Sequence, residues 1–549
     1  MKSVKACGKP RNCYNATNLF FNFFDEVHDM TQNDIVQKLW NLCDVLKDDG
    51  INYSDYVSEL VMLLFVKMVD ELDEEFSTLS KIYPEKYKWA HFKDHNGIAL
   101  LNFYKQMLLD LSQSQHELIA SIYANAQTRL REPRHLQQLI NAFDQLDWFS
   151  IKADGLGDLY EGLLEKNATE TKSGAGQYFT PRPLINSIVR CIQPQPNEVI
   201  QDPACGTAGF LIAADAFIKE HHDLYALSEA ETEFYTLNAF TGVELVPNTR
   251  RLAQMNCLLH DIGGEKGAIK LGNSLGPVGE NLAKADVILA NPPFGTSKGG
   301  EASITRDDLP FTTSNKQLAF LQHIYKNLKP GGRAAVVLPD NVLFEAGQGT
   351  AIRQDLMNVC NVHTILRLPT GIFYAQGVKT NVLFFNKGTE QNPLQEENCT
   401  TATWVYDLRT NMPSFGKRTP FTEAHLKGFE TVYGTDAKGY SPRTEGEWSL
   451  TEDSQEQTLE NSRWRKFSRE WIKEQKGDSL DISWLKDNDA VDAANLPEPH
   501  VLASEAMSEL TQALVELDAL MQALGQVDEA NVQKTFLADA LGLGGEEQA

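Results

Sequence analysis

The sequence predicts an α/β fold with a doubly wound, mostly parallel β-sheet, preceded by an α-helical domain and followed by a coiled-coil-like tail. Two observations carry the central prediction. Short apolar runs, typical of buried strands, alternate with segments of helical periodicity between residues 155 and 385. Several of these runs end at Gly, Pro or Asn, at the kind of strand end where ligands bind in such sheets.

The composition is that of a globular protein with several domains. The chain has 549 residues, of which 42% are hydrophobic and 23% are charged. The longest notable apolar run, residues 60–66, is too short to cross a bilayer. No signal pattern opens the chain, so a cytoplasmic protein is expected. The eight cysteines include no Cys-x-x-Cys pair, which indicates neither a zinc site nor a disulfide framework. We expect no metal.

The beginning of the chain divides into an atypical segment and a helical domain. Residues 1–29 lack helical periodicity and are expected to be a non-native or disordered extension, with Met30 as the functional start. From residue 31 onward, apolar residues recur three and four positions apart, which predicts an α-helical domain over residues 30–150. The helical patterns cover residues 31–50, 56–72, 99–112 and 116–126.

A glycine-rich segment, Gly176-Gln-Tyr-Phe-Thr-Pro-Arg-Pro, follows a helical pattern over residues 155–168. Thr180 is a natural N-cap and Pro181 a natural first residue for the next helix. Because helix N-termini favour anions, a ligand carboxylate would fit here. A loop that only caps the helix is the alternative.

Residues 199–211 have the pattern of a strand, a glycine-containing turn and an apolar helix. Gly206 and Gly209 would let the backbone approach a ligand closely at the start of that helix. Cys205 is expected to fill space and not to act as a nucleophile. Because position 208 is an alanine, we expect a negative φ there and a conventional helix start. Glu244, at the end of the next strand, is predicted to bind ribose hydroxyls, as acids do in dinucleotide folds.

A further apolar strand, residues 285–290, stops at Asn291 because Pro292 and Pro293 cannot donate to a sheet ladder. The Asn291 side-chain oxygen and a proline carbonyl suit an amino group that is held by both its hydrogens. Drawing these hydrogens aside would localise the lone pair of an amino group conjugated to a ring or carbonyl. Phe294 offers a flat face on which a planar base would stack. An ordinary strand end with a Pro-Pro turn is the alternative.

In combination, these motifs resemble those of one family, the modification subunits of type I restriction–modification systems. The resemblance rests on Asp158-Leu-Tyr-Glu-Gly-Leu-Leu, the Gly176 segment, the loop from Asp202 and Asn291-Pro-Pro-Phe, and it runs from about residue 30 to the C-terminus. It implies a Rossmann-like, S-adenosylmethionine-dependent methyltransferase domain over residues 151–387.

The resemblance also implies the residues of the site. The expected catalytic residues are Asn291, Pro292, Pro293 and Phe294. The residues expected to bind the cofactor, S-adenosyl-L-methionine, are Gln177, Tyr178, Phe179, Thr180, Pro181, Arg182, Asp202, Gly206, Thr207, Ala208, Glu244 and Asn273, the last near the adenine of the cofactor.

The expected function is N6-methylation of a flipped adenine in double-stranded DNA by a modification subunit. Family resemblance implies a separate specificity subunit that chooses the site, two modification subunits for each specificity subunit, and a restriction subunit in the full complex. The net charge of −25 also favours another subunit as the source of attraction to DNA. Methylation of RNA, cytosine or protein glutamine is the rival activity, and a non-enzymatic scaffold is the rival class. The loop from Asp202 and the tetrad Asn291-Pro-Pro-Phe are both intact, which weakens the scaffold hypothesis.

The C-terminal part is predicted to be irregular over residues 388–500 and helical over residues 501–549. Within the irregular region, residues 463–469 mix bases and aromatics, and a phosphate-binding segment and a solvated helix face are equally compatible with them. Apolar residues in the tail alternate three and four apart, which predicts a helix for subunit association. These residues are Met507, Leu510, Leu514, Leu517, Met521 and Leu524.

Overall fold

The structure is a computed structural model. The chain forms two compact units, which are Met1–Leu485 and Lys486–Ala549. The described residues are 32–51, 55–72, 78–146, 148, 151, 155–170, 180–294, 304–373, 378–416, 419–446, 461–486, 507, 514, 517–518, 521 and 531–534. The expected extension, residues 1–29, and Met30 lie outside them, as do Leu510 and Leu524. In the described part, no helix has the length and apolarity needed to cross a membrane.

The first unit begins with a group of packed helices. Their bounds are α1 Gln32–Asn41, α2 Cys43–Asp48, α3 Tyr56–Glu71, α4 Thr78–Ile82, α5 Ile98–Ser112, α6 Glu117–Tyr123 and α7 Pro133–Asp144. Most of α3 is buried, from Tyr56 to Val69, because its residues are apolar on every face. The predicted helices are present, although the pattern over residues 31–50 forms two helices that break at Leu42.

The rest of the unit is organised around one sheet. Its strands are β1 Ile200–Asp202, β2 Phe240–Glu244, β3 Ile269–Leu271, β4 Ala285–Ala290, β5 Leu328–Pro339, β6 Cys360–Arg367, β7 Thr380–Lys387, β8 Ala402–Asp407 and β9 Trp464–Ser468. In the described residues the strand order is β3-β2-β1-β4-β5-β7-β6-β8-β9. Only β7 and β9 run against the others, so the prediction of a mostly parallel sheet is confirmed.

Helices cover both faces of this sheet. Their bounds are α8 Leu156–Glu170, α9 Arg182–Ile192, α10 Gly209–His221, α11 Glu229–Leu237, α12 Pro247–Leu259, α13 Pro277–Glu280, α14 Lys316–Asn327, α15 Asp340–Phe344, α16 Gln348–Val359, α17 Lys427–Tyr433 and α18 Arg469–Lys476. Short 3-10 helices are Glu85–Tyr87, Trp89–Asp94, Leu224–Ala226, Gly264–Lys266 and Glu423–His425. Along β4, Val287 and Leu289 join one apolar layer, and Ile288 and Ala290 join the other. Burial on both faces explains the continuous apolar run.

The strand order positions the functional residues. From β1 the chain runs outward through β2 to β3, and then returns to place β4 on the other side of β1. Strands β1 and β4 are thus neighbours at a point where the direction of winding reverses. Ligands bind outside the carboxyl ends of strands at such a point. The loop after Asp202 and the tetrad after Ala290 both begin there.

The region predicted to be irregular, residues 388–500, contains regular structure. Strands β8 and β9 extend the sheet beyond β6, and the Trp404 and Trp464 rings stack with centroids 5.0 Å apart. Residues 464–468 are therefore a strand, which corrects the helix-face alternative. The buried Arg463 guanidinium donates to the carbonyls of Asp407, at 2.7 Å, and Thr410, at 2.8 Å, and so serves the fold.

In the second unit, the described stripe residues are helical, as predicted. Met507, Leu514 and Leu517 are exposed. The role of this tail in subunit association stays a prediction.

Candidate active site

Some of the residues predicted to bind the methyl donor and one predicted to bind its acceptor, Asn291, line one pocket at the carboxyl ends of β1 and β4. Its wall contains Thr180, Ile185, Asp202, Ala204, Cys205, Gly206, Thr207, Gly209, Phe210 and Asn291. These residues come from three separate parts of the chain. The strand order brings the parts after β1 and β4 together, and a hydrogen bond from Asn291 to Thr180 joins the third part to them.

Asp202 is a buried acid at the floor of the cavity. It is 2% exposed, and its Oδ1 accepts a hydrogen bond from the Ala204 N–H at 3.0 Å. Burial, together with the nearby charge of Glu244, raises the pKa of Asp202 to about 8, although the hydrogen bond from Ala204 acts in the opposite direction. Such a carboxyl is stabilised as an anion when a cationic ligand binds beside it.

Glu244 lies at the end of β2, where the sequence placed it. Its Oε2 accepts a hydrogen bond from the Gly206 N–H at 3.1 Å, and its Oε1 accepts one from the Val246 N–H at 2.8 Å. Burial raises its pKa as well. A carboxylate has about four acceptor positions, so it can still accept hydrogen bonds from ligand hydroxyls.

The loop itself leaves room for a ligand. Gly206 has φ +54°, and a Cβ built there would meet nothing within 4 Å. The prediction for Ala208 is wrong, because its φ is +71° and it lies in the left-handed region. The Ala208 N–H donates to the Cys205 carbonyl at 2.7 Å, and the Ile212 N–H donates to the Ala208 carbonyl at 3.0 Å. A tight turn that leads directly into α10 therefore outweighs the preference of alanine for negative φ.

Thr180 does not cap α9 as predicted. The helix begins at Arg182, with Pro181 as its N-cap, and the N–H groups of Leu184 and Ile185 donate to the Pro181 carbonyl. The Thr180 hydroxyl instead accepts a hydrogen bond from Asn291 Nδ2 at 2.8 Å. Thr180 thus orients the side chain of the predicted catalytic asparagine.

Arg182 is held by protein groups beside the cavity. It forms an ion pair with Glu161 of α8, and its Nη1 donates to the Gly209 carbonyl at 3.4 Å. Sequence reasoning missed the role of Glu161, although this residue lies within the Asp158-Leu-Tyr-Glu motif. Asp158, Glu161 and His260 approach one another within 4.8 Å. Glu161 pairs with Arg182 of α9, and His260, at the end of α12, pairs with Asp158 of α8 at 3.7 Å, so these groups serve to join helices.

The remaining tetrad residues differ in their exposure. Pro292 is buried and Pro293 is exposed, and the Pro293 carbonyl accepts a hydrogen bond from Gln317 Nε2 at 3.0 Å. Phe294 is 7% exposed, and its ring contacts Phe373 edge to face with centroids 5.5 Å apart. Most of the Phe294 side chain is therefore covered by protein in this conformation, and its stacking on a base stays a prediction.

The other predicted cofactor residues lie on the same edge of the sheet or outside the described residues. The Thr207 carbonyl accepts a hydrogen bond from Asn256 at 3.0 Å. Asn273 follows β3, and its Oδ1 accepts one from the Leu275 N–H at 2.9 Å. Gln177, Tyr178 and Phe179 fall outside the described part of the chain.

Comparison with known proteins gives three matching family models. The model described as N-6 DNA Methylase matches residues 151–467. The HsdM N-terminal domain matches residues 35–143, and the C-terminal domain of the type I restriction enzyme methylase subunit matches residues 496–539. The chain belongs to the type I restriction–modification methylase subunits. Its activity is that of an adenine-specific DNA methyltransferase.

Individual relatives agree with this assignment. The EcoKI methylase subunit of Escherichia coli K12 is 58% identical over 532 residues, which cover 93% of this chain and 99% of that protein. The StySPI methylase subunit of Salmonella potsdam is 57% identical with the same coverage. The crystal structure of the EcoKI M protein has 53% identity and a TM-score of 0.55, and the match covers 92% of this chain and 99% of that chain. The family and activity predicted from sequence are confirmed.

Proposed function

We propose that this methylase subunit transfers the methyl group of S-adenosyl-L-methionine to the N6 atom of a flipped adenine in double-stranded DNA. The single observation that carries the proposal is the shared cavity, which Asp202, Gly206 and Thr207 line together with Asn291. Methyl transfer needs donor and acceptor aligned at short range, and orientation of this kind supplies much of the acceleration. Two motifs that meet in one cavity satisfy this requirement.

The residues present fit the cofactor. The open space above Gly206 admits a ligand against the loop backbone, and Asp202 and Glu244 offer carboxylates to its ammonium and hydroxyl groups. When bound, S-adenosyl-L-methionine supplies a methyl group on a positively charged sulfur, already activated for transfer.

Asn291 and Pro292 would hold the amino group of the target. Because Asn291 Nδ2 donates to Thr180, the amide plane is fixed and its Oδ1 points away from that hydroxyl. Asn291 Oδ1 and the Pro292 carbonyl then accept the two amino hydrogens, which localises the nitrogen lone pair for attack. Pro293 completes the rigid turn. Phe294 stacks on the base only after its ring turns away from Phe373.

Another subunit would supply the attraction to DNA. The chain carries a net charge of −25. Several of its arginines donate to internal carbonyls and carboxylates in the described part, namely Arg333, Arg353, Arg409, Arg443 and Arg463. Since phosphate binding relies on accessible cations, a separate specificity subunit would bring the DNA and choose the site. Two methylase subunits per specificity subunit, a restriction subunit in the full complex, and a cytoplasmic location complete the proposal.

The experiment is methylation of DNA by the complex of this chain with its specificity subunit, followed with cofactor labelled in the methyl group. Asn291→Ala should lose at least about a hundredfold in turnover while cofactor affinity changes little, since an oriented catalytic contact contributes about 10² or more. Asp202→Ala should weaken cofactor binding first. The matched control is Asn281→Ala, which removes an exposed asparagine that donates only to the Pro277 carbonyl of α13. Near-normal turnover by Asn291→Ala would refute the amino-group mechanism.

The chain without its specificity subunit should bind DNA weakly and without sequence preference. Fluorescence anisotropy with specific and scrambled duplexes measures this. Tight, site-specific binding by the chain alone at physiological salt contradicts the assignment of recognition to another subunit.

A further inference from the structure

The tetrad is held by a side chain that its motif does not contain. Gln317 lies in the first turn of α14, is 1% exposed, and donates from Nε2 to the Pro293 carbonyl at 3.0 Å. The proline ring fixes φ of Pro293, so the direction of its carbonyl depends on ψ alone. The hydrogen bond from Gln317 therefore restrains the torsion that connects the rigid prolines to Phe294.

Gln317 is itself held in place. Asn315 caps α14, and its Oδ1 accepts hydrogen bonds from the N–H groups of Gln317, at 3.0 Å, and Leu318, at 3.3 Å. Asn315 Nδ2 donates to Glu345 Oε2 at 2.6 Å. Glu345 directly follows α15, which begins where β5 ends. Hydrogen bonds thus connect Glu345 to the Asn315 side chain and Asn315 to the backbone of Gln317. The Gln317 side chain in turn donates to the Pro293 carbonyl of the tetrad.

We propose that Gln317 is a positioning residue for methyl transfer, and that Asn315 and Glu345 support it. By fixing the direction of the Pro293 carbonyl, Gln317 restrains the backbone that carries the two acceptors assigned above, Asn291 Oδ1 and the Pro292 carbonyl. This inference rests on the proposed function, because it concerns the geometry of the same two acceptors.

The two ends of the tetrad are restrained by different parts of the fold. Thr180, from the segment before α9, accepts the hydrogen bond of the Asn291 amide. Gln317, from α14, donates to the carbonyl two residues later. Restraint at only one end would leave the peptide between Pro292 and Pro293 free to tilt. Because Gln317 acts on the part of the tetrad assigned to the acceptor, replacing it is expected to lower the rate of methyl transfer and to leave the affinity for the cofactor unchanged.

The test replaces Gln317 with methionine, which keeps the length of the side chain and removes the donor. The expected result is a kcat about tenfold lower in single-turnover methylation, the effect of one lost hydrogen bond on a barrier. Cofactor Kd should change less than about twofold, because Gln317 acts on the part of the tetrad assigned to the acceptor.

The matched control is Gln322→Met in the same helix. Gln322 is 0% exposed and forms two hydrogen bonds with the Phe311 backbone, at 2.8 Å and 3.0 Å, away from the tetrad. Gln322→Met also removes a buried side-chain amide, so its kcat measures what the loss of such an amide does through the fold alone. A kcat for Gln317→Met that is no lower than that of Gln322→Met would overturn the proposal.

Two further measurements keep the result unambiguous. If Gln317→Met does not fold, Asn315→Asp is used instead, because the new carboxylate still caps α14 while its charge repels Glu345. A lower kcat for Asn315→Asp supports the role of Gln317 and its supporting residues. An unchanged kcat overturns it. Wild type and Asn291→Ala are measured in the same assay. Normal transfer by Asn291→Ala would remove the proposed function itself, whereas normal transfer by Gln317→Met alone would remove only this inference.

Discussion

Cofactor binding should tighten as the pH rises toward 8, because Asp202 must lose its proton to receive a cation. Burial raises the pKa of Asp202 to about 8. At that pKa, about 1% of the unliganded protein carries ionised Asp202 at pH 6 and about 10% at pH 7. The ligand brings a permanent positive charge on sulfur and an ammonium group. If binding requires the carboxylate, Kd should fall about tenfold between pH 6 and pH 7.

Equilibrium dialysis with labelled cofactor, from about pH 6 to about pH 7.5, measures this slope. Asp202→Asn should bind more weakly and show no slope. Asp215→Asn should retain the slope, because Asp215 is a buried acid of α10 whose partners are Tyr235 and Lys219. A wild-type Kd that varies less than about twofold over this range would refute the reasoning.

The raised pKa of Asp202 also predicts how the free energy of unfolding depends on pH when no cofactor is bound. The pKa of Asp202 in the folded protein, about 8, lies above its ordinary value of 3.8. Its contribution to stability is therefore complete below about pH 4 and is lost as the pH rises through about 8. The difference in melting temperature between Asp202→Asn and wild type, measured across this window, should grow in favour of the variant as the pH rises. A constant difference would contradict the burial of an ionisable carboxyl.

Three other outcomes follow from the geometry. Phe294→Ala should lower the free energy of unfolding by about 3–5 kcal/mol, as large core truncations do, and urea titration measures this; an unchanged free energy of unfolding would contradict the packing of this ring in the core. Glu161→Gln removes the ion pair that holds Arg182 at the start of α9, so KM for the cofactor should rise with little change in kcat, as steady-state kinetics would show. Leu514→Asp combined with Leu517→Asp should abolish capture by the specificity subunit in a pull-down while the melting temperature stays unchanged. A drop in that temperature would instead indicate packing within the chain.

The central sheet could be predicted because its strands are buried on both faces. β1 and β4 appear in the sequence as short apolar runs that stop at polar or proline residues. The helical region before residue 150 was equally clear, since apolar residues recur at helical spacing there. The position of Glu244 at the end of β2 followed from the same pattern.

Strands β8 and β9 could not be predicted, because their pairing is non-local. β8 joins β6 through residues such as Trp404 opposite Thr364, and β9 joins β8 from about sixty positions later. Neither segment has a long apolar run. Stacking of Trp404 on Trp464 becomes visible only when the two strands are side by side.

Within the site, local rules failed where a distant contact decided the conformation. Thr180 beside Pro181 is a good local signal for a helix cap, yet its hydroxyl accepts a hydrogen bond from Asn291, 111 positions away. Ala208 adopts a conformation that costs an alanine about 1–2 kcal/mol, because the turn after Cys205 must lead directly into α10. Departures of this kind are expected at functional sites, where ligand geometry outweighs local preference. The Thr180 hydroxyl, which a local rule assigns to the helix, thus joins the segment predicted to bind the cofactor to the tetrad predicted to bind the acceptor.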